Sequence, residues 1–403
     1  MADNSLIVVL RSGLPALPKI KLWPLPPRTM ASVLAIRNLV HDRVRFVVTI
    51  VGVVFAVVLI NTQLGLFLGF ARTTSGIITH SGADLWLMAP GTSNVDQAVP
   101  IAERRVTQAL AIPGVLRAKS YNVEFARFKK PDGSAESTII VGFDLTDGLG
   151  RPWELAAGDI RDLRRPDTIM IDELYRTKLG VTHIGQVVEI NGIRARVVGF
   201  TRGVRSFTQS PYVFTSAKNA ITYGGMRKDQ TKFALIEVAD DADVSDVRQQ
   251  LQDRISDVEV LTTGAFALRT ETYWMFTTGA GLALLVAAIM GGIVGVVVVS
   301  QTLYATTIDH LPEFATLRAM GAPARFIYRV IVVQAIASGF LGYLVGLAIS
   351  LVIVTVARRV DPVIVLPWQL VAAMLVVTLL MCSGAAMLSI SKVTRLDPTA
   401  VFK

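Results

Sequence analysis

The sequence predicts an α-helical integral membrane protein with four transmembrane helices and an α+β extracytoplasmic domain inserted between helices 1 and 2. Three observations carry this. Of 403 residues, 52% are hydrophobic and only 18% charged, where a soluble chain carries about a quarter charged residues. The charges leave four open runs, Phe46–Ala71, Thr272–Ile308, Val330–Ala357 and Pro362–Ser391, each of 26 residues or more. A bilayer-spanning helix needs about 20 apolar residues, so each run is long enough. Residues 71–270, between the first two runs, have the mixed composition of a soluble domain.

The expected boundaries follow in order. Residues 1–45 are a cytoplasmic extension with an amphipathic helix, and 46–70 are helix 1. Residues 71–270 are the outer α+β domain, 272–305 helix 2, and 306–326 a cytoplasmic segment. Residues 327–357 are helix 3, 358–368 a short outer loop, 369–391 helix 4, and 392–403 a cytoplasmic tail.

The net charge of +9 invites a nucleic-acid reading, but its location argues otherwise. Residues 72–270 hold 25 Lys and Arg against 24 Asp and Glu, while the rest of the chain holds 15 against 7. The excess sits on membrane-flanking segments, as the positive-inside rule expects, and not on a phosphate-binding face. Arg37, Arg43 and Arg45 before the first span, Arg318, Arg325 and Arg329 between the second and third, and Lys392, Arg395 and Lys403 after the fourth put both termini in the cytoplasm. Arg358 and Arg359 oppose this and are outnumbered. The single cysteine, Cys382, lies in the fourth span, so the outer domain is held by its core without an intrachain disulfide. Residues 1–29 are Pro-rich with no small-residue cleavage site; Met30 is a second candidate start.

Along the chain, Val33, Leu34, Ile36 and Leu39 alternate with Arg37, Asn38 and Arg43 at helical spacing, which predicts a surface-lying amphipathic segment over 31–45. The first span carries Asn61, Thr62 and Gln63 and a Gly65-xxx-Gly69 pair, which reads as helix packing or, alternatively, as part of a transport path. The outer domain predicts a strand at Asp84–Met88 and a helix from about Ile101 to Leu110. Strands then flank a Pro131-Asp132-Gly133 turn, the second being Thr138–Phe143. Asn191-Gly192 marks a two-residue hairpin within Gln186–Phe200. Lys232–Val238 is another strand, and Asp243 or Ser245 starts a helix through Ile255. The pattern divides into two lobes near residue 150. After the second span, Pro312 and Glu313 suit a helix start, and Gly321 with Pro323 a helix stop. Residues 309–321 therefore predict a short helix between two spans, either a lever for a soluble partner or a plain connecting loop.

No Gly-x-x-x-x-Gly-Lys-Ser/Thr occurs, so the chain carries no phosphate-cradling loop of its own. His41, His80, His183 and His310 are scattered without metal-ligand spacing, and no cofactor is implied. No acidic residue lies within the four runs, which argues against intramembrane ion coupling. Glycines recur instead at helix-packing intervals, at Gly291 and Gly295 in the second span and at Gly342 and Gly346 in the third.

These residues resemble a family. One span, a large outer domain and three further spans is the layout of the FtsX/MacB-type ABC permeases. Glu313-Phe314-Ala315-Thr316-Leu317-Arg318-Ala319-Met320-Gly321-Ala322 is similar to their coupling segment, and Ile169–Asp172 with Gly185–Gly199 is similar to their periplasmic core. Ala83–Pro90, Gln301–Thr306 and Asp309–Glu313 look like the DevC branch of glycolipid-exporter permeases. The resemblance implies a non-enzymatic, homodimeric inner-membrane permease served by two copies of a separate ATPase. It further implies a membrane-fusion protein, a TolC-like outer-membrane channel and export of a lipid, glycolipid or other amphiphile. It places the ATPase contact at Asp309, Glu313, Leu317, Arg318 and Gly321, and a helix-packing or dimer face at Gly65, Gly69, Gly291, Gly295, Gly342 and Gly346. Two alternatives share the layout: an FtsX-like signalling subunit that activates an envelope hydrolase, and a lipoprotein-releasing permease.

Overall fold

The structure is a computed structural model that describes residues 43–206, 210–310, 312, 316, 323–360 and 364–393. The amphipathic segment expected over 31–45 lies almost wholly outside the described residues, as do Glu313, Leu317, Arg318 and Gly321 of the expected coupling segment.

Helix α1, Arg43–Thr79, is 37 residues long. A bilayer core takes about 20 residues of helix, so roughly 17 remain for other use. The apolar run ends before Arg72, yet the helix continues through Gly76 to Thr79, and the first left-handed residue after it is Gly82 at φ 73°. Thr73, Thr74 and Thr79 return their hydroxyls to the carbonyls of Gly69, Ala71 and Ser75. Ile77 and Ile78 at its end are buried in the core of the inserted domain.

The inserted domain runs β1 (Leu85–Met88), β2 (Ile101–Ala102), α2 (Arg104–Leu110), β3 (Val115–Lys129), β4 (Ala135–Phe143), β5 (Leu155–Ala157), β6 (Thr168–Asp172), α3 (Arg176–Leu179), β7 (Val187–Ile190), β8 (Ile193–Thr201), β9 (Tyr212–Ser216), α4 (Ala217–Gly224), β10 (Gln230–Thr231), β11 (Phe233–Val238), α5 (Val244–Arg254), β12 (Glu259–Thr262) and α6 (Thr263–Thr272). The main sheet has the order β12-β1-β11-β3-β4-β9-β6-β8-β5, with β7 joining β3 and β8.

Strand β3 organises this domain. Its residues 115–121 pair with β11, and its residues 122–129 pair antiparallel with β4. Each half therefore belongs to a different lobe. The first lobe packs α2 and α5 on β1, β11 and β12 through Leu85, Leu87, Val106, Ile236, Val247 and Leu251. The second packs α3 and α4 on β4, β6, β8 and β9 through Ile140, Ile171, Leu179, Val197, Val213 and Tyr223. The division expected near residue 150 is thus corrected. The second lobe is an insertion within the first, and the chain crosses between them inside β3, where no turn residue marks the passage.

A third core of aromatic residues covers the opposite sheet face. Trp86 meets Tyr121 and Phe233 edge-on at centroid distances of 5.5 Å and 5.1 Å. Both faces of β1 are consequently buried, which explains its uninterrupted apolar sequence. The expected hairpin forms with Asn191 at φ 48° and Gly192 at φ 80°, the positive pair that a primed two-residue turn requires. Ile101 and Ala102, expected to open a helix, instead pair with Thr231 and Gln230, and the helix starts at Arg104. Asp243 is the cap of α5: its carboxylate accepts from the N–H groups of Ser245 and Asp246 at 2.8 Å and 3.1 Å.

After α6 come a π turn at Tyr273–Thr277 and then α7 (Ala280–Asp309), α8 (Ala324–Val360) and α9 (Trp368–Val393). With α1 these make, among the described residues, four helices long and apolar enough to cross a membrane. The residues fall into two compact units. One holds the chain through Val57, Gly292–Leu347 and the chain from Ala372; the other holds Val58–Gly291 and Ala348–Val371.

Candidate functional site

In the first unit, glycines set how closely the helices approach. A Cβ on Gly342 of α8 would lie 2.6 Å from Val53 Cγ1 of α1, and one on Gly346 would lie 2.9 Å from Val57. A Cβ on Gly295 of α7 would meet Ala56 Cβ at 2.6 Å and Met381 Sδ at 2.8 Å. Real Cβ atoms do not approach so closely, so these positions admit hydrogen alone. The same unit buries Gln334 and Ser338, one turn apart on α8.

In the second unit, Gly291 fits against Leu59, where a Cβ would come within 2.8 Å. Gly65 fits against residues 364–366, and its carbonyl accepts from Val365 N–H at 3.1 Å. Gly69 is buried and its carbonyl accepts the hydroxyl of Thr73. Asn61, fully buried, donates from Nδ2 to Ser350 Oγ at 3.3 Å, which joins α1 to α8. All six expected glycines therefore sit in the interior of the chain, five of them against another segment. Of the expected ATPase contacts, Asp309 is the last residue of α7, and the other four lie outside the described residues.

The second unit also contains the junction between the α+β domain and the flanking helices, where the two connections differ. Helix α1 enters the domain unbroken. Helix α7 is reached through α6, the π turn and Gly279, whose φ of 77° ends one helical direction before the next begins. Gly279 supplies the left-handed conformation that other residues avoid. Two contacts brace the junction: Ser75 Oγ donates to Glu271 Oε1 at 2.6 Å, and Phe67 meets Phe276 edge-on at 6.4 Å.

Loop residues 91–97 lie against this junction. Asp96 is only 7% exposed. Burial pushes its carboxyl up to about 6, and the indole N–H of Trp274 acts in the opposite direction. Arg269 of α6 donates to Glu259 Oε1 at 2.6 Å and holds that carboxyl below its usual range. Sequence reasoning missed this loop. Its residue types are those of any polar turn, and only the fold reveals that Asp96 is buried.

The chain matches two families in succession: the MacB-like periplasmic core domain over residues 46–254 and the FtsX-like permease C-terminal domain over residues 283–398. An uncharacterized ABC transporter permease of Mycobacterium tuberculosis is 22% identical over 373 residues, covering 91% of this chain and 98% of that protein. One of Mycobacterium bovis is 24% identical over 377 residues with the same coverage. Among solved structures, the periplasmic region of MacB from Actinobacillus actinomycetemcomitans aligns at a TM-score of 0.37 and 9% identity, covering 47% of this chain and 94% of that one. The extracellular domain of the noncanonic ABC-type transporter YknZ from Gram-positive bacteria aligns at 0.34 and 12%, covering 44% and 98%. A MacB-like domain inserted after the first of four apolar helices, followed by an FtsX-like permease domain, makes this chain a member of the MacB/FtsX-type ABC transporter permeases.

Proposed function

We propose that the chain is the permease subunit of an ATP-driven exporter that works by transmitting motion. A separate ATPase subunit moves residues 306–326 on the cytoplasmic side, and the helices carry that motion to the α+β domain. The observation that carries this reading is the unbroken helix α1, which passes from its apolar run straight into the domain core at Ile77 and Ile78. A helix of that kind moves the domain whenever it moves. The glycine-fitted contacts at Gly295, Gly342 and Gly346 support it further, because closely fitted helices pass displacement to one another. The fuller reading is a homodimer in the inner membrane with both termini cytoplasmic. It works with a membrane-fusion protein and a TolC-like channel, and expels a lipid, glycolipid or other amphiphile in the manner of the DevC branch.

The deciding experiment co-purifies the chain with its ATPase subunit and compares the wild type with Glu313→Lys. Reversal of that charge is expected to abolish ATPase binding. Unchanged binding and hydrolysis would remove residues 306–326 from the coupling role. For the cargo, the lipid profile of the cell envelope after gene deletion should lose or accumulate one amphiphile class; an unaltered profile opposes lipid export.

A further inference from the structure

The break at Gly279 poses a mechanical difficulty. A connector that changes direction at a left-handed glycine does not carry displacement along its own axis, so motion of α7 reaches the domain through side contacts or not at all. A chain of such contacts exists. Gly281, in the first turn of α7, lies so close to the π turn that a Cβ there would sit 2.7 Å from the Met275 carbonyl oxygen. Met275 itself is buried. Two residues earlier, Tyr273 donates its hydroxyl to Gln97 Oε1 at 3.3 Å, and Trp274 abuts Asp96. Single π turns are rare and recur at functional positions.

The receiving loop is built to take the contact. Asn94 Oδ1 accepts from the N–H groups of both Asp96 and Gln97 at 3.0 Å, which fixes the backbone from which these two side chains project. Glu259 accepts from Gly91 N–H at 3.1 Å, and Arg269 Nη1 donates to the Thr92 carbonyl at 3.3 Å. Val95 and Ala98 are sunk in the central aromatic core, and Lys232 Nζ holds the Ala98 carbonyl at 2.7 Å. The loop is thus tied to the domain at both ends and meets the π turn between them.

We propose that loop Gly91–Gln97 is the clamp that carries displacement of α7 into the α+β domain, with Asp96 and Gln97 as positioning residues acting on Trp274 and Tyr273. This rests on the motion-transmitting reading above. The test uses the full chain with its ATPase subunit in nanodiscs, in a Cys382→Ala background. Spin labels are placed at Ser134→Cys, on the β3–β4 turn, and at the exposed Val376→Cys, on α9, so that the distance reads displacement of the domain against a helix outside the clamp, by double electron–electron resonance. In the otherwise wild-type chain the distance is expected to shift between the nucleotide-free and vanadate-trapped states. Tyr273→Phe keeps its ring and removes the hydroxyl that donates to Gln97, and Trp274→Phe removes the indole N–H together with part of its ring; the pair should cut that shift at least twofold while ATP hydrolysis continues. Asp96→Asn keeps an acceptor and should preserve the shift, whereas Asp96→Ala with Gln97→Ala should lose it. A full shift in the double Phe variant overturns the clamp alone. No shift in the wild type overturns the motion-transmitting reading and the clamp with it.

Discussion

Ser75 donates a 2.6 Å hydrogen bond to Glu271, and so fastens the end of helix α1 to the last turn of α6. The two residues are 196 positions apart and are the points where the chain enters and leaves the α+β domain. Hydrogen bonds to a charged acceptor contribute about 1.5–3 kcal/mol when shielded, and less where water reaches them. Ser75→Ala is therefore expected to cost about 1–2 kcal/mol, read as a lower unfolding temperature of the full chain by tryptophan fluorescence.

Glycine substitutions in the helices separate fitted from unfitted positions. Gly342→Ala drives a methyl into Val53, and overpacking of this kind costs about 1–3 kcal/mol. Gly295→Ala is expected to cost a similar amount, because Met381 can yield but Ala56 Cβ, 2.6 Å from the added methyl, cannot. At Gly384, where no atom lies within 4 Å of a Cβ, alanine should be neutral. Thermal aggregation of the purified chain ranks the three, and an equal loss at Gly384 would refute the packing account.

Asn191 does more than turn the β7–β8 hairpin. Its Oδ1 accepts from Arg127 N–H on β3 at 2.8 Å, and its Nδ2 donates to the Tyr223 carbonyl at the end of α4, also at 2.8 Å. Asn191→Gly keeps the permitted backbone and loses both bonds, at about 2 kcal/mol. Asn191→Ala should be worse by the strain of a positive φ. Urea unfolding of the two variants distinguishes side-chain from backbone effects.

Asp96 makes stability depend on pH with a definite sign. Its carboxyl titrates near 6 in the folded chain against an ordinary 3.8, so the folded state holds the proton more tightly. That stabilisation is complete below pH 3.8 and is lost as pH rises through 6. Tyr212 nearby stays neutral throughout, its hydroxyl raised well above 10 mainly by burial. Relative to Asp96→Asn, wild-type stability should fall by about 2–3 kcal/mol between acid pH and pH 8. Parallel melting curves across that range would contradict the burial.

What the sequence disclosed follows from how each feature is encoded. The four spans are a matter of composition, and removing charge over 26 residues leaves no other reading. The Asn191-Gly192 turn and the Asp243 cap are equally local, since a single backbone conformation or one side-chain bond decides them. The extension of α1 past Arg72 was hidden because a span is recognised by the end of its apolar run, whereas a helix can run on through polar residues and even Gly76. Sheet order was hidden for a different reason: β1 pairs with β11 and β12, strands far along the chain whose own sequences name no partner. The four-residue intervals Gly291/Gly295 and Gly342/Gly346 show in the sequence because spacing alone encodes them, whereas the residues that a Cβ there would meet, such as Leu59 and Val53, do not. The 91–97 loop was not legible, because the burial of Asp96 is created by neighbours as distant as Trp274.

Strand β3 has a consequence for how the domain bears force. Because one covalent segment is a rail of both lobes, a pull between them runs along its axis and loads its hydrogen-bonded rungs together in shear. Rungs loaded together share a force that would break them singly if peeled from one end. The lobes should therefore travel as one stiff piece under tension directed along β3, and single-molecule pulling in that direction should require a higher rupture force than pulling across it.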